Sequence, residues 1–203
     1  MEDLSTEFPL KGTWNTGFFR NTGSVNLELG CGKGEFTIGL ARRSQDENFI
    51  GIDIKGARMW RGAKTALEEN LKNVAFIRSQ IFYLDHFFSA GEVRSIWITF
   101  PDPQPRESRS HKRLTSPRFL DLYNKVLHPE GVVHLKTDDE SLFLYTLGVL
   151  TDAGHQLLYA TEDIYRDAPA EVAASIVTFY ESIWLGQGKT IKYLRFRLKM
   201  KGE

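Results

Sequence analysis

One carboxylate and three glycines in the stretch VNLELGCGKGEF, residues 25–36, have the types and spacing to hold a small ligand. The apolar positions Val25, Leu27 and Leu29 run straight into Gly30, Gly32 and Gly34, and Phe36, Ile38 and Leu40 continue into a helical pattern. A strand, a tight glycine turn and a helix let backbone approach a ligand closely, because a Cβ would block the turn or the ligand. The spacing is G-x-G-x-G, not the dinucleotide fingerprint G-x-G-x-x-G. Glu28, inside the strand end, would repel a pyrophosphate but suits a ligand carrying a cationic amine and a sulfonium. The pattern therefore points to S-adenosylmethionine before a nicotinamide nucleotide. About twenty residues further on, Asp53 closes a second apolar strand, the place where an acidic side chain holds a ribose diol.

A second chemical segment follows a fourth apolar run. Phe100-Pro101-Asp102-Pro103-Gln104-Pro105 stiffens the chain with three prolines and fixes Asp102 at the carboxyl end of a sheet, where ligands bind in open α/β folds. Arg106, Arg109, His111, Lys112 and Arg113 come next, with Glu107 as the single acid among them. A rigid acidic loop feeding a basic run reads as a catalytic edge beside a phosphate-binding track, and the plain alternative is a solvated charged face.

The elements that must position these residues alternate. Strands read over 48–54, 74–77, 95–100 and 132–137, with helices over about 34–44, along Trp60, Ala63, Leu67 and Leu71, in a short piece at 84–88, over 116–126 and from 138 to about 153. Trp60, Ala63, Leu67 and Leu71 are spaced as one buried helical face. His128-Pro129-Glu130-Gly131 reads as a turn into the fifth strand. Strand–helix alternation predicts a mainly parallel sheet with helices on both faces. The end breaks the rhythm: a strand at 155–160, a polar Ala-rich loop at 162–177 expected to be mobile without the substrate, a helical stretch at 179–185, and a strand at 190–198. Two strands without a long crossover favour an antiparallel pair at the sheet edge. Residues 1–24 read as an N-terminal arm and 25–203 as one domain.

Bulk composition narrows the classes. The 203 residues carry 26 Lys plus Arg against 26 Asp plus Glu, so nucleic-acid binding must come from local clustering and not from net charge. Cys31 is the single cysteine, which excludes a disulfide framework and a cysteine-based metal site; between two loop glycines it reads as a small residue that fits. No apolar run approaches the ~18 residues a membrane span needs, and no signal peptide is evident at the start, so the expectation is a cytoplasmic protein without a membrane partner.

Taken together, the motifs resemble the bacterial tRNA (guanine-N7)-methyltransferase family. LELGCGKGEF at 27–36, FIGIDIK at 49–55, ITFPDP at 98–103, HKRL at 111–114, PEGVVHLKTDDE at 129–140 and TFYE at 178–181 occur in family order, from about residue 11 to the end. The resemblance implies a Rossmann-like class I methyltransferase with a mostly parallel seven-stranded sheet. It implies methyl transfer from S-adenosylmethionine, without a metal, to N7 of a guanine in the variable region of tRNA, by a monomer or homodimer. Glu28, Gly30, Gly32, Gly34, Asp53, Gln80 and Asp102 would hold the cofactor, and Asp102 is the active-site carboxylate. Arg106, Asp138, Thr178 and Glu181 fall where the family contacts guanine; Ser108, Arg109, His111, Lys112 and Arg113 fall where it contacts RNA. Asp138 could instead cap a helix, and Thr178 with Glu181 could be an ordinary capping pair. The chain departs from the family at Gln80, where a carboxylate is usual, at Arg106, where lysine is common, and in a short N-terminal arm. The alternative reading is a tRNA-binding module that keeps the fold without turnover; a dehydrogenase is disfavoured by the glycine spacing.

Overall fold

A computed structural model describes residues 7–199; the first six residues of the N-terminal arm lie outside the described residues. Seven strands, β1 (Val25–Leu29), β2 (Asn48–Asp53), β3 (Val74–Arg78), β4 (Val93–Thr99), β5 (Leu127–Thr137), β6 (Gln156–Thr161) and β7 (Lys192–Arg197), form one sheet in the order β3-β2-β1-β4-β5-β7-β6. β7 runs antiparallel to both of its neighbours, and the pairs among β1 to β5 are parallel. The antiparallel pair lies at the edge as expected, with β7 slotted between β5 and the outermost β6. The order reverses between β1 and β4, which leaves a crevice at their carboxyl ends.

Among the described residues, eight α-helices cover the sheet: α1 (Glu35–Arg43), α2 (Gly56–Glu68), α3 (Leu84–Phe87), α4 (Pro117–Asn124), α5 (Glu140–Ala153), α6 (Ile164–Asp167), α7 (Val172–Ser175) and α8 (Phe179–Gly186). One core joins α3, α4 and α5 to the sheet, and a second joins α1, α2, α6 and α7 to the opposite face. β1 is buried at every position, including Glu28, as a strand covered on both faces must be. Trp14, in a π-helical turn over Trp14–Phe19, belongs to the first core: its indole N–H donates to the Phe87 carbonyl and its ring stacks on Phe88 at 5.7 Å.

Three expectations are corrected. The buried face of α2 is Met59, Gly62 and Ala66, whereas Trp60 is 61% and Leu67 83% exposed. The reason is close approach: a Cβ on Gly62 would lie 2.7 Å from the Phe76 ring and 2.8 Å from the Lys33 carbonyl, so the helix seats through its smallest residue. The turn at 128–131 is a bulge inside a longer strand; the register jumps from Val93 against Leu127 to Ser95 against Val132. Segment 162–177, read as a polar loop, holds α6 and α7, with Ile164 and Ala173 fully buried against α1.

Candidate active site

The crevice begins at the left-handed turn after β1. Gly30, Gly32 and Gly34 have φ of +76°, +55° and +74°, conformations that side chains rarely adopt. A Cβ on Gly30 or Gly32 would meet nothing within 4 Å, so these two face open space, whereas one on Gly34 would strike Phe76 at 2.6 Å. The first two glycines therefore leave room for a ligand, and the third lets α1 pack against α2 and β3. Gly30, Gly32, Glu28, Asp53, Phe100, Thr178 and Tyr180 line a crevice of about 150 Å³.

Both acids are held before any ligand enters. The backbone N–H of Gly32 donates to Asp53 at 2.9 Å and that of Lys55 at 2.8 Å, which fixes the carboxylate at the mouth of the turn. Glu28 is buried, accepting the Thr37 N–H at 2.8 Å, the Thr37 hydroxyl, and the Thr99 hydroxyl at 2.7 Å. Burial pushes its carboxyl up to about 7, against the opposing hydrogen bonds of Thr37 and Thr99. Because the folded value exceeds the unfolded one, the folded chain binds more protons between about pH 4.5 and 7, and stability must fall as pH rises through that window. Glu28→Gln is expected to remove this slope, worth on the order of 3 kcal/mol across the window, in urea titrations at pH 5 and pH 8. An unchanged slope in the variant would assign it to other groups. Burial also pushes the Cys31 thiol well up, with Glu28 and Asp53 adding to the effect, so Cys31 is no nucleophile.

The Asp102 loop is bracketed by Phe100 at φ +48° and Gln104 at φ +47°, two of the four non-glycine residues with positive φ among those described. Such residues cost about 1–3 kcal/mol each and persist only where the surroundings hold them. Here the holder is Arg113. It is 6% exposed, lies over the Tyr145 ring at 4.2 Å, and donates to the Pro103 carbonyl at 3.2 Å and the Gln104 carbonyl at 3.2 and 3.3 Å. Arg113 thus faces inward as a loop tie, whereas Arg106, Ser108, Arg109, His111 and Lys112, the other residues of the expected RNA contact, are exposed. Asp102 is exposed and closes an Asx turn by accepting the Gln104 N–H at 3.0 Å.

The remaining residues separate. Asp138, at the end of β5, pairs with Lys189 at 2.7 Å, and the cap of α5 is Asp139, which accepts the Leu142 N–H at 2.7 Å. Thr178 and Glu181 form a complete capping box on α8. Glu181 is also fully buried, 2.6 Å from the Lys136 ammonium and 2.6 Å from the Tyr165 hydroxyl that donates to it. Its carboxylate therefore does not line the crevice in this structure, whereas Thr178 does. Gln80, at the carboxyl end beyond β3, is exposed and lies outside the crevice lining. Lys136 escaped the sequence reading, although a lysine ending the apolar run Val132–Leu135 is the mark of a buried cation that needs a partner. Thr37 and Thr99 gave no such signal.

A mostly parallel sheet whose order reverses above a glycine turn, with carboxylates at the ends of β1 and β2, is the Rossmann-like fold of the class I methyltransferases. The solved structures agree on the fold. A 16S rRNA methyltransferase, KamB, superposes with a TM-score of 0.69 at 15% identity, covering 90% of this chain and 91% of that one. The [4+2]-cyclase SpnF superposes at 0.61 and 16% identity over 88% and 76%. Residues 22–194 match the profile of a family described as "Putative methyltransferase". A tRNA (guanine-N(7)-)-methyltransferase of Christiangramia forsetii is 56% identical over 95% of this chain and 86% of its own. One of Porphyromonas gingivalis is 50% identical over 98% and 81%. The chain belongs to the tRNA (guanine-N7)-methyltransferase family.

Proposed function

We propose that this protein transfers a methyl group from S-adenosylmethionine to N7 of a guanine in the variable region of tRNA. The observation that carries the reading is the crevice itself: open space over Gly30 and Gly32, ringed by Glu28 and Asp53 and bordered by the loop that carries Asp102. The acids Glu28 and Asp53 fit a ligand bearing an amine, a sulfonium and a ribose diol. Near-complete relatives bearing one name support the substrate.

S-adenosylmethionine supplies an electrophilic methyl carbon. The N7 lone pair lies in the plane of guanine, so no residue of this chain would need to remove a proton from the base for it to accept that methyl group. Placement is the protein's main contribution, and holding reactants in line accounts for roughly 7–11 kcal/mol of such barriers. Asp53 binds the ribose diol, Glu28 fixes the turn that receives the methionine end, and Gln80 offers its carbonyl to the adenine amine. Asp102 accepts from the guanine N–H groups and offsets the positive charge that develops on the purine. Arg106, Asp138 and Thr178 border the guanine, and Ser108, Arg109, His111 and Lys112 meet the RNA. Among the described residues no helix is long and apolar enough to cross a membrane.

Incubating the protein with labelled S-adenosylmethionine and unmodified tRNA, then mapping the modified base, tests the reading. Label on guanine N7 is the expected result. Tight tRNA binding without label would leave only a binding module, and label on another atom would replace the proposed target.

A further inference from the structure

A second and larger concavity, about 560 Å³, opens beside the cofactor crevice and shares Lys33 and Glu35 with it. It lies between the outer faces of α1 and α2 and the chain at 175–179, and its lining includes Lys33, Arg42, Arg43 and Arg61 against the single acid Glu35. In a chain whose cations and anions are equal in number, four cations around one groove form a local cluster. Arg42 is held by Glu69. Lys33, Arg43 and Arg61 are exposed and make no ion pair among the described residues. Glu35 is partly satisfied, accepting the Phe179 N–H at 2.7 Å, and Lys33 lies 4.7 Å over the exposed Phe179 ring. The groove wall is drawn in by Gly39, where a Cβ would lie 2.5 Å from Ile176.

We propose that this cleft carries the sugar–phosphate backbone of tRNA as the strand leaves the methylation crevice, with Arg43 and Arg61 on phosphates and Phe179 as a stacking surface at the threshold. The proposal rests on the tRNA reading above. It places a phosphate track on the α1–α2 side, away from the basic run at 106–112. Several cations without an acidic partner along one groove suit a chain of phosphates, and an exposed aromatic beside them suits a nucleotide. Neither arginine lines the cofactor crevice.

The test measures binding of unmodified tRNA against KCl concentration for the intact chain, for Arg43→Gln/Arg61→Gln and for Arg43→Lys/Arg61→Lys, with S-adenosylmethionine affinity measured in parallel. Each phosphate contact adds about 0.7–0.9 to the slope of log K against log salt, so the glutamine pair should flatten the slope by about 1.5 while the lysine pair keeps it. S-adenosylmethionine affinity should be the same in all three. A slope unchanged in the glutamine pair would overturn the cleft assignment. If the intact chain neither binds nor methylates tRNA, the tRNA reading itself falls, a result separable from the first.

Discussion

Glu181→Ala is expected to lower the unfolding free energy by about 3–5 kcal/mol, because it strands a buried ammonium. Lys136 is fully buried. Among the described residues, its Nζ donates beyond Glu181 only to the carbonyls of Ala173 and Ile176, among the rings of Phe36, Phe100 and Tyr165 at 5.6–5.8 Å. Burial already pulls its ammonium below the ordinary range, with Glu181 opposing that shift. Urea unfolding checks the size, and a loss below ~1 kcal/mol would mean that water or another carboxylate replaces the partner. Replacing both residues, Lys136→Met with Glu181→Leu, should cost far less than the single change, since an apolar pair leaves no stranded charge. The double variant also separates stability from function. Lys136 ties β5 to α7 and α8, and that wall presents Thr178 and Tyr180 to the crevice. A folded double variant with weakened S-adenosylmethionine affinity would show that the ion pair sets the position of the wall.

Asp102→Asn is expected to slow single-turnover methyl transfer to bound tRNA by about 10²–10³-fold, the scale at which one preorganised electrostatic partner acts on developing charge. The substitution isolates charge from shape. An asparagine oxygen can still accept the Gln104 N–H, so the Asx turn and the loop direction survive. Affinity for S-adenosylmethionine should change little if the carboxylate acts on guanine. An unchanged single-turnover rate would remove Asp102 from the chemistry. A rate loss accompanied by an equal loss of cofactor affinity would instead assign the carboxylate to cofactor binding.

Much of the crevice was legible from local pattern. The G-x-G-x-G turn, Glu28 one residue from the end of β1 and Asp53 at the end of β2 are each fixed within a few residues of chain, and their strand ends fall together because parallel strands align their carboxyl ends. The buried face of α2 was misplaced because apolar periodicity favours large residues, whereas this helix seats on Gly62 against Gly34 and Phe76. A small residue at a close approach leaves no hydrophobic signal. Arg113 was read with its basic neighbours, yet it turns inward because the strained Asp102 loop offers two carbonyls that need a donor. Nothing in the run RESRSHKR marks which cation will do so.

By itself, the sequence determined the layer architecture, the glycine turn and the two acids at the strand ends, since alternation, glycine spacing and strand termini are properties of short stretches. Tertiary structure alone decided which charges are free. Lys136 and Glu181 are 45 residues apart and meet only because β5 and α8 pack together, and low dielectric then makes their pairing obligatory. Arg113 became a loop tie, Asp138 a partner of Lys189, and Arg43 and Arg61 an open groove, through contacts between elements distant along the chain. Charge type is written in the chain, whereas availability depends on what folding brings within hydrogen-bond reach.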